Sequence, residues 1–159
     1  MKRYIISSVL ALSSQSFAYP SVHDYASYLS LTTAKDGTVT RNEQDIEIAE
    51  FDPGSNRYRE AVSTTVENQA QKEEVWTNAS DMIFPQDIQN VLANCATNGG
   101  HLIAVTVPAG TFNTCASSVD HPDGKGTDWL GDVPFGVVKS VFEKKDGSGK
   151  SEYQLQSFR

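Results

Sequence analysis

Three histidines, His23, His101 and His121, stand in a chain rich in serine, so acyl transfer by a serine, an imidazole and a carboxylate is the first chemistry to test. That chemistry needs the serine on a sharp exposed turn within reach of its base, and no serine here sits in a G-x-S-x-G turn. The nine-residue run Asp120-His121-Pro122-Asp123-Gly124-Lys125-Gly126-Thr127-Asp128 invites a metal instead, because hard cations take clustered carboxylates and imidazole suits zinc or copper. It lacks the alternating acidic spacing that turns successive oxygens toward one calcium ion, and Lys125 sits in its middle, so a solvated turn is expected there. Asn78-Ala79-Ser80 matches the glycosylation acceptor pattern but carries no weight beside an export signal of bacterial style. No Gly-rich phosphate loop and no basic patch interleaved with aromatics is present in the sequence. The pattern names no catalytic residue, no metal ligand and no cofactor, and it points away from an enzyme.

Cys95 and Cys115 are the only cysteines. They form no C-x-x-C, His101 is the only histidine between them, and an exported chain meets an oxidising compartment, so a Cys95–Cys115 disulfide is expected. Closing a loop of about twenty residues stabilises by roughly 3 kcal/mol in the chain-entropy treatment. Export itself is read from the N-terminus. Lys2 and Arg3 precede an apolar stretch over 4–12 that is too short to span a bilayer, and Ser16-Phe17-Ala18 supplies small residues at a cleavage site. Residues 1–18 are therefore expected to be a signal peptide and 19–159 a single β-rich domain, periplasmic or extracellular, without a membrane span. Without Lys2 and Arg3 the formal charge of −7 becomes −9, which repels nucleic acid and anionic membrane surfaces.

The elements that would position any site read mainly as strands. Alternation and turn residues predict strands over 25–33, 44–51 and 58–66, with Lys35-Asp36-Gly37 and Asp52-Pro53-Gly54-Ser55 as reversals. Residues 70–78 are less clear, Val75-Trp76 reading either as a short strand or as a packing anchor. Pro85, Asp87 and the spacing of Ile88, Val91, Leu92 and Cys95 predict one short helix that stops at Asn98-Gly99-Gly100. Strands follow over 102–107 and 111–117 around Pro108-Ala109-Gly110, then a Gly- and Asp-rich loop over 120–128, then strands over 137–143 and 151–158. Short turns make neighbours antiparallel. The expected fold is mainly β: a curled antiparallel sheet, or half-barrel, of about seven strands with one short helix on its concave side.

An inward-curling sheet gathers aromatic side chains, and Phe112, Trp129, Phe135 and Phe142, which flank the strands of this half, are the candidate ligand-binding residues. Val105-Thr106-Val107-Pro108-Ala109-Gly110-Thr111-Phe112 and Gly136-Val137-Val138-Lys139 carry a resemblance. The region from Cys95 to Phe158 is similar to bacterial exported proteins of unknown activity marked by V-x-V-P-A-G-T-F and a G-[LV]-V-K strand. Those proteins resemble, more distantly, the periplasmic half-barrels that carry or receive outer-membrane lipoproteins. The resemblance implies a curved sheet and an exported location, and it brings no catalytic residue. The reading that follows is a non-enzymatic exported binding module whose concave face holds a hydrophobic ligand or an envelope protein. Two alternatives stand beside it: an envelope interaction or structural protein that uses sheet edges or loops and has no ligand cavity, and a hydrolase with an unrecognised site.

Overall fold

Three hairpin turns share one local device. The carboxylates of Asp36, Asp52 and Asp146 accept the backbone N–H two residues on, from Thr38, Gly54 and Ser148, at 2.8 to 2.9 Å. These turns set the registers of the strands they join. The computed structural model describes residues 20–67 and 69–159, so the expected signal peptide over 1–18 lies outside the described residues. The strands are β1 (Tyr25–Ala34), β2 (Val39–Asp52), β3 (Arg57–Val66), β4 (Gln69–Asn78), β5 (His101–Val107), β6 (Gly110–His121), β7 (Gly124–Gly131), β8 (Val137–Lys144) and β9 (Gly149–Phe158), with the helix α1 (Pro85–Ala93) between β4 and β5. All nine lie in one open antiparallel sheet ordered β4-β3-β2-β1-β9-β8-β7-β6-β5. Two meanders, β1 to β4 and β5 to β9, are thus joined where the first strand pairs with the last, from Ala26 opposite Phe158 to Ala34 opposite Gly149.

The fold class read from the sequence stands, and the strand count rises from about seven to nine. Residues 69–78 form β4 along their whole length. The larger difference lies at 120–128, where β6 continues to His121, the chain reverses over Pro122-Asp123, and β7 begins at Gly124 opposite His121. The glycines that signal a loop serve a strand here because Phe142 of β8 lies over them. A Cβ at Gly124 would overlap the Glu143 carbonyl and the Phe142 ring, and one at Gly126 would stand 3.0 Å from the Val141 carbonyl oxygen. Bare backbone is what lets the ring pack flat on this part of the sheet.

The sheet curls in its C-terminal half. β5 is four strands from β9 in sheet order, yet it touches β8 and β9, and the Ala109 N–H donates to the Leu155 carbonyl at 3.3 Å. Inside the curl, Ala26, Tyr28, Val107, Val133, Val138 and Leu155 form the core, and the Tyr28 and Tyr153 rings stack at 4.4 Å. α1 begins as its sequence predicts, with Pro85 in the first turn and the Asp87 carboxylate accepting the Phe84 N–H at 2.9 Å. It packs on β6 and β7, and its Ile88 is fully buried against Gly136. The expected disulfide is present: Cys95 and Cys115 are bonded with their Cα atoms 5.6 Å apart, tying the chain just past α1 to β6. No helix among the described residues is long and apolar enough to cross a membrane.

Candidate functional site

Between β7 and β8 the sequence Val133-Pro134-Phe135-Gly136 makes a tight turn, closed by the Gly136 N–H on the Val133 carbonyl at 3.0 Å. Proline at its second position suits that turn, but Phe135 at the third has φ +62, where glycine or asparagine belongs. A left-handed backbone costs a residue with a side chain roughly 1 to 2 kcal/mol. The surroundings impose it. Val133 and Pro134 are fully buried, the Tyr28 hydroxyl reaches the Pro134 carbonyl at 3.5 Å, and Ile88 Cδ1 lies against Gly136, 2.7 Å from where a Cβ would stand. The turn is held between the sheet below and α1 beside it, and Phe135 is delivered half-buried into a cavity of about 160 Å³.

That cavity has an apolar body and an acidic lining. Ile48, Met82, Ile83, Pro134 and Phe135 supply the first, with Ile83 41% exposed at the mouth. Asp24, Glu60 and Asp81 supply the second. Burial pushes the Asp24 carboxyl above the usual carboxylate range, against the Ser21 N–H that holds it down. Asp81 accepts hydrogen bonds from the Asn78 amide at 3.0 Å and the Ser80 hydroxyl at 3.2 Å, so its charge is braced in place.

The four candidate rings do not share one surface. Phe135 lines the cavity just described. Phe142 lines a separate open groove of about 450 Å³ across β6, β7 and β8, with the His121 ring edge-on at 5.8 Å. Phe112 packs against the core, its ring 5.8 Å from Phe158. Trp129 is half-buried on β7 beneath Lys139, whose Nζ lies 5.7 Å from the ring centroid while it pairs with Glu152 at 2.7 Å.

The polar candidates are also dispersed. In the 450 Å³ groove the Ser140 hydroxyl donates straight to Asp128 at 2.6 Å, with no imidazole between them, while His121 contacts Phe142. His23 lies 3.5 Å from Glu47 at the surface, and His101 is exposed on β5. Among the described residues no three His, Cys, Asp or Glu side chains are gathered as a metal would need. Sequence reasoning missed Asp24, Glu60, Met82 and Ile83. Met82-Ile83-Phe84, three apolar residues between a strand and a helix start, was the one available signal.

No family model and no curated protein sequence matches the chain. The fold does have solved counterparts. A protein assigned as a lipoprotein in Parabacteroides distasonis ATCC 8503 superposes with a TM-score of 0.50 at 11% identity, over 87% of this chain and 96% of that one. A protein assigned as exported, with a YmcC-like fold, from Bacteroides fragilis NCTC 9343 gives 0.49 at 11% identity, over 87% and 96%. The MucA/MucB complex of Pseudomonas aeruginosa gives 0.47 at 10% identity, over 85% of this chain and 51% of that one. At 11% identity the first of these speaks to the fold alone and to nothing in its pockets.

Proposed function

We propose that this chain is a non-enzymatic exported binding module that holds an apolar side chain of an envelope protein in the cavity around Phe135. The observation that carries this reading is Phe135 itself: a bulky residue kept in a left-handed backbone, at the wall of a cavity, by a turn clamped from two sides. Size separates the two ligand classes the fold could serve. A cavity of about 160 Å³ accepts a group near the size of benzene, whereas drug-sized ligands fill roughly 300 Å³ or more. Charge separates them again, since Asp24, Glu60 and Asp81 repel a fatty-acid carboxylate or a lipid phosphate and accept a neutral or basic peptide. Export is supported by the Lys2, Arg3 and Ala18 pattern and by the disulfide, which persists in oxidising compartments.

A photoreactive phenylalanine analogue at Ile83, in the chain expressed in its native host, tests this directly. Irradiation should join the chain to one envelope protein, and Phe135→Gly, which removes the ring and suits the backbone, should abolish that product while far-UV circular dichroism is unchanged. Native mass spectrometry that finds a lipid released by the same substitution, or a crosslink that ignores it, overturns the reading.

A further inference from the structure

The two free edges of the sheet differ in chemistry. β4 presents Lys72, Glu73 and Glu74, with Glu74 paired to Arg59 at 2.9 Å, and a charged edge of this kind discourages a further strand. β5 at the other edge reads HLIAVTV, with no Asp, Glu, Lys, Arg or Pro. Leu102 is 64% exposed and Ile103 45% exposed, and among the described residues β5 pairs on one side only, with β6. The neutral zone reaches beyond the strand. Residues 88–119, 32 in succession, contain no Asp, Glu, Lys or Arg in a chain where those types make up 21%. They comprise most of α1, the turn to β5, β5 itself and β6 as far as Val119. Loss of charge with retained exposed aliphatics is the composition of an interface centre and not of a solvated surface.

The edge is also preformed. Cys115, bonded to Cys95, stands opposite Leu102, and the Thr114 hydroxyl donates to the Ile103 carbonyl at 2.8 Å. An incoming strand meets a template that needs little further ordering.

We propose that β5 is a dimerisation edge on which the β5 of a second copy of this chain pairs antiparallel about a two-fold axis, making one sheet that runs through both copies. A two-fold pairing needs a strand that complements itself, and β5 does so: it brings no charge to meet its own copy, while the net charge of −7 that each copy carries lies elsewhere. Centred on Ala104, the pairing sets Ile103 opposite Val105 of the partner subunit and Leu102 opposite Thr106 of the partner subunit, so each aliphatic side chain meets a β-branched one. Because the remaining charge repels, added salt strengthens the dimer.

Sedimentation equilibrium on the oxidised chain tests this. The mass should rise toward twice that of one chain with concentration, and Leu102→Lys and Ile103→Lys should each raise the dissociation constant at least about tenfold. Both side chains already stand in solvent, so the fold should persist, while Val75→Lys on β4 should change nothing. Amide exchange within His101–Val107 of the unaltered chain should slow with concentration, a reading independent of any variant. A single-chain mass up to the solubility limit, or lysine variants that dimerise like the original, overturns the proposal.

Discussion

Burial acts on two phenols that the sheet stacks together. Tyr28 and Tyr153 lie ring on ring at 4.4 Å, and desolvation pushes both hydroxyls well above their ordinary value. The Tyr153 hydroxyl donates to Gln44 at 2.8 Å, and the Tyr28 hydroxyl reaches the Pro134 carbonyl of the turn that bears Phe135. Raised pKa values in the folded state mean that their contribution is fully present below the unfolded value near 10 and is lost as pH climbs above it. Denaturant midpoints should therefore hold steady from about pH 7 to 9 and fall above about 10, and Tyr28→Phe with Tyr153→Phe should remove much of that alkaline fall. An unchanged alkaline profile in the double variant would separate the stack from the stability of the core. The turn aspartates have the opposite sign. The Thr38 N–H beside Asp36, the Ser55 hydroxyl and Gly54 N–H beside Asp52, and the Ser148 hydroxyl and N–H beside Asp146 hold those carboxyls below their usual range. What they add is present above the ordinary carboxylate value near 4 and is lost as pH falls below it.

Among the elements, β7 depends most on a neighbour. Its opening Gly-Lys-Gly-Thr has poor strand propensity, and the side chain that completes it, Phe142, belongs to β8. Phe142→Ala should cost roughly 2 to 3 kcal/mol, less than a fully buried phenylalanine because the ring is half-buried. Hydrogen exchange should show the loss first at the amides of residues 124–127, with the segment between Cys95 and Cys115 still protected by its disulfide. Uniform loosening of the whole sheet would show instead that the ring supports the general core. α1 is arranged differently, since its own sequence supplies its start while Ile88 and the disulfide beyond its end supply its anchors.

Across the whole molecule the first and last strands carry unusual weight. Among the described residues β1 and β9 form the only strand pairing between the two meanders, and the Tyr25 and Arg159 backbones exchange two hydrogen bonds at 3.1 Å. Leu155 of β9 and Tyr28 of β1 also sit at the centre of the core. A chain ending at Asp146 should consequently lose its near-UV circular dichroism and its cooperative unfolding transition, because no other strand pairing among the described residues joins the meanders and Leu155 leaves the core with β9. A folded, cooperative product would mean that β1 pairs with β8 directly. The same arrangement leaves β4 and β5 as opposite edges, one charged and one neutral, which is what distinguishes their surfaces.

What the sequence determined by itself is whatever depends on short-range chemistry. Asp-Gly and Asp-Pro-Gly turns force reversals, Ile46 and Ile48 alternate with acids as a half-buried strand requires, Pro85 and Asp87 start a helix, and two lone cysteines behind an N-terminus patterned like an export signal predict a disulfide. Those facts sufficed for an open antiparallel sheet with one helix and one disulfide. Tertiary structure alone decided what rests on contacts between residues far apart. Gly124 and Gly126 read as loop until Phe142 covers them. Phe112, Trp129, Phe135 and Phe142 read alike as aromatics, and only the curl sends them to the core, a lysine-covered strand and two separate cavities. Phe135 acquires its backbone from Tyr28 and Ile88, 107 and 47 positions away in the sequence, and no local pattern in the chain encodes that clamp.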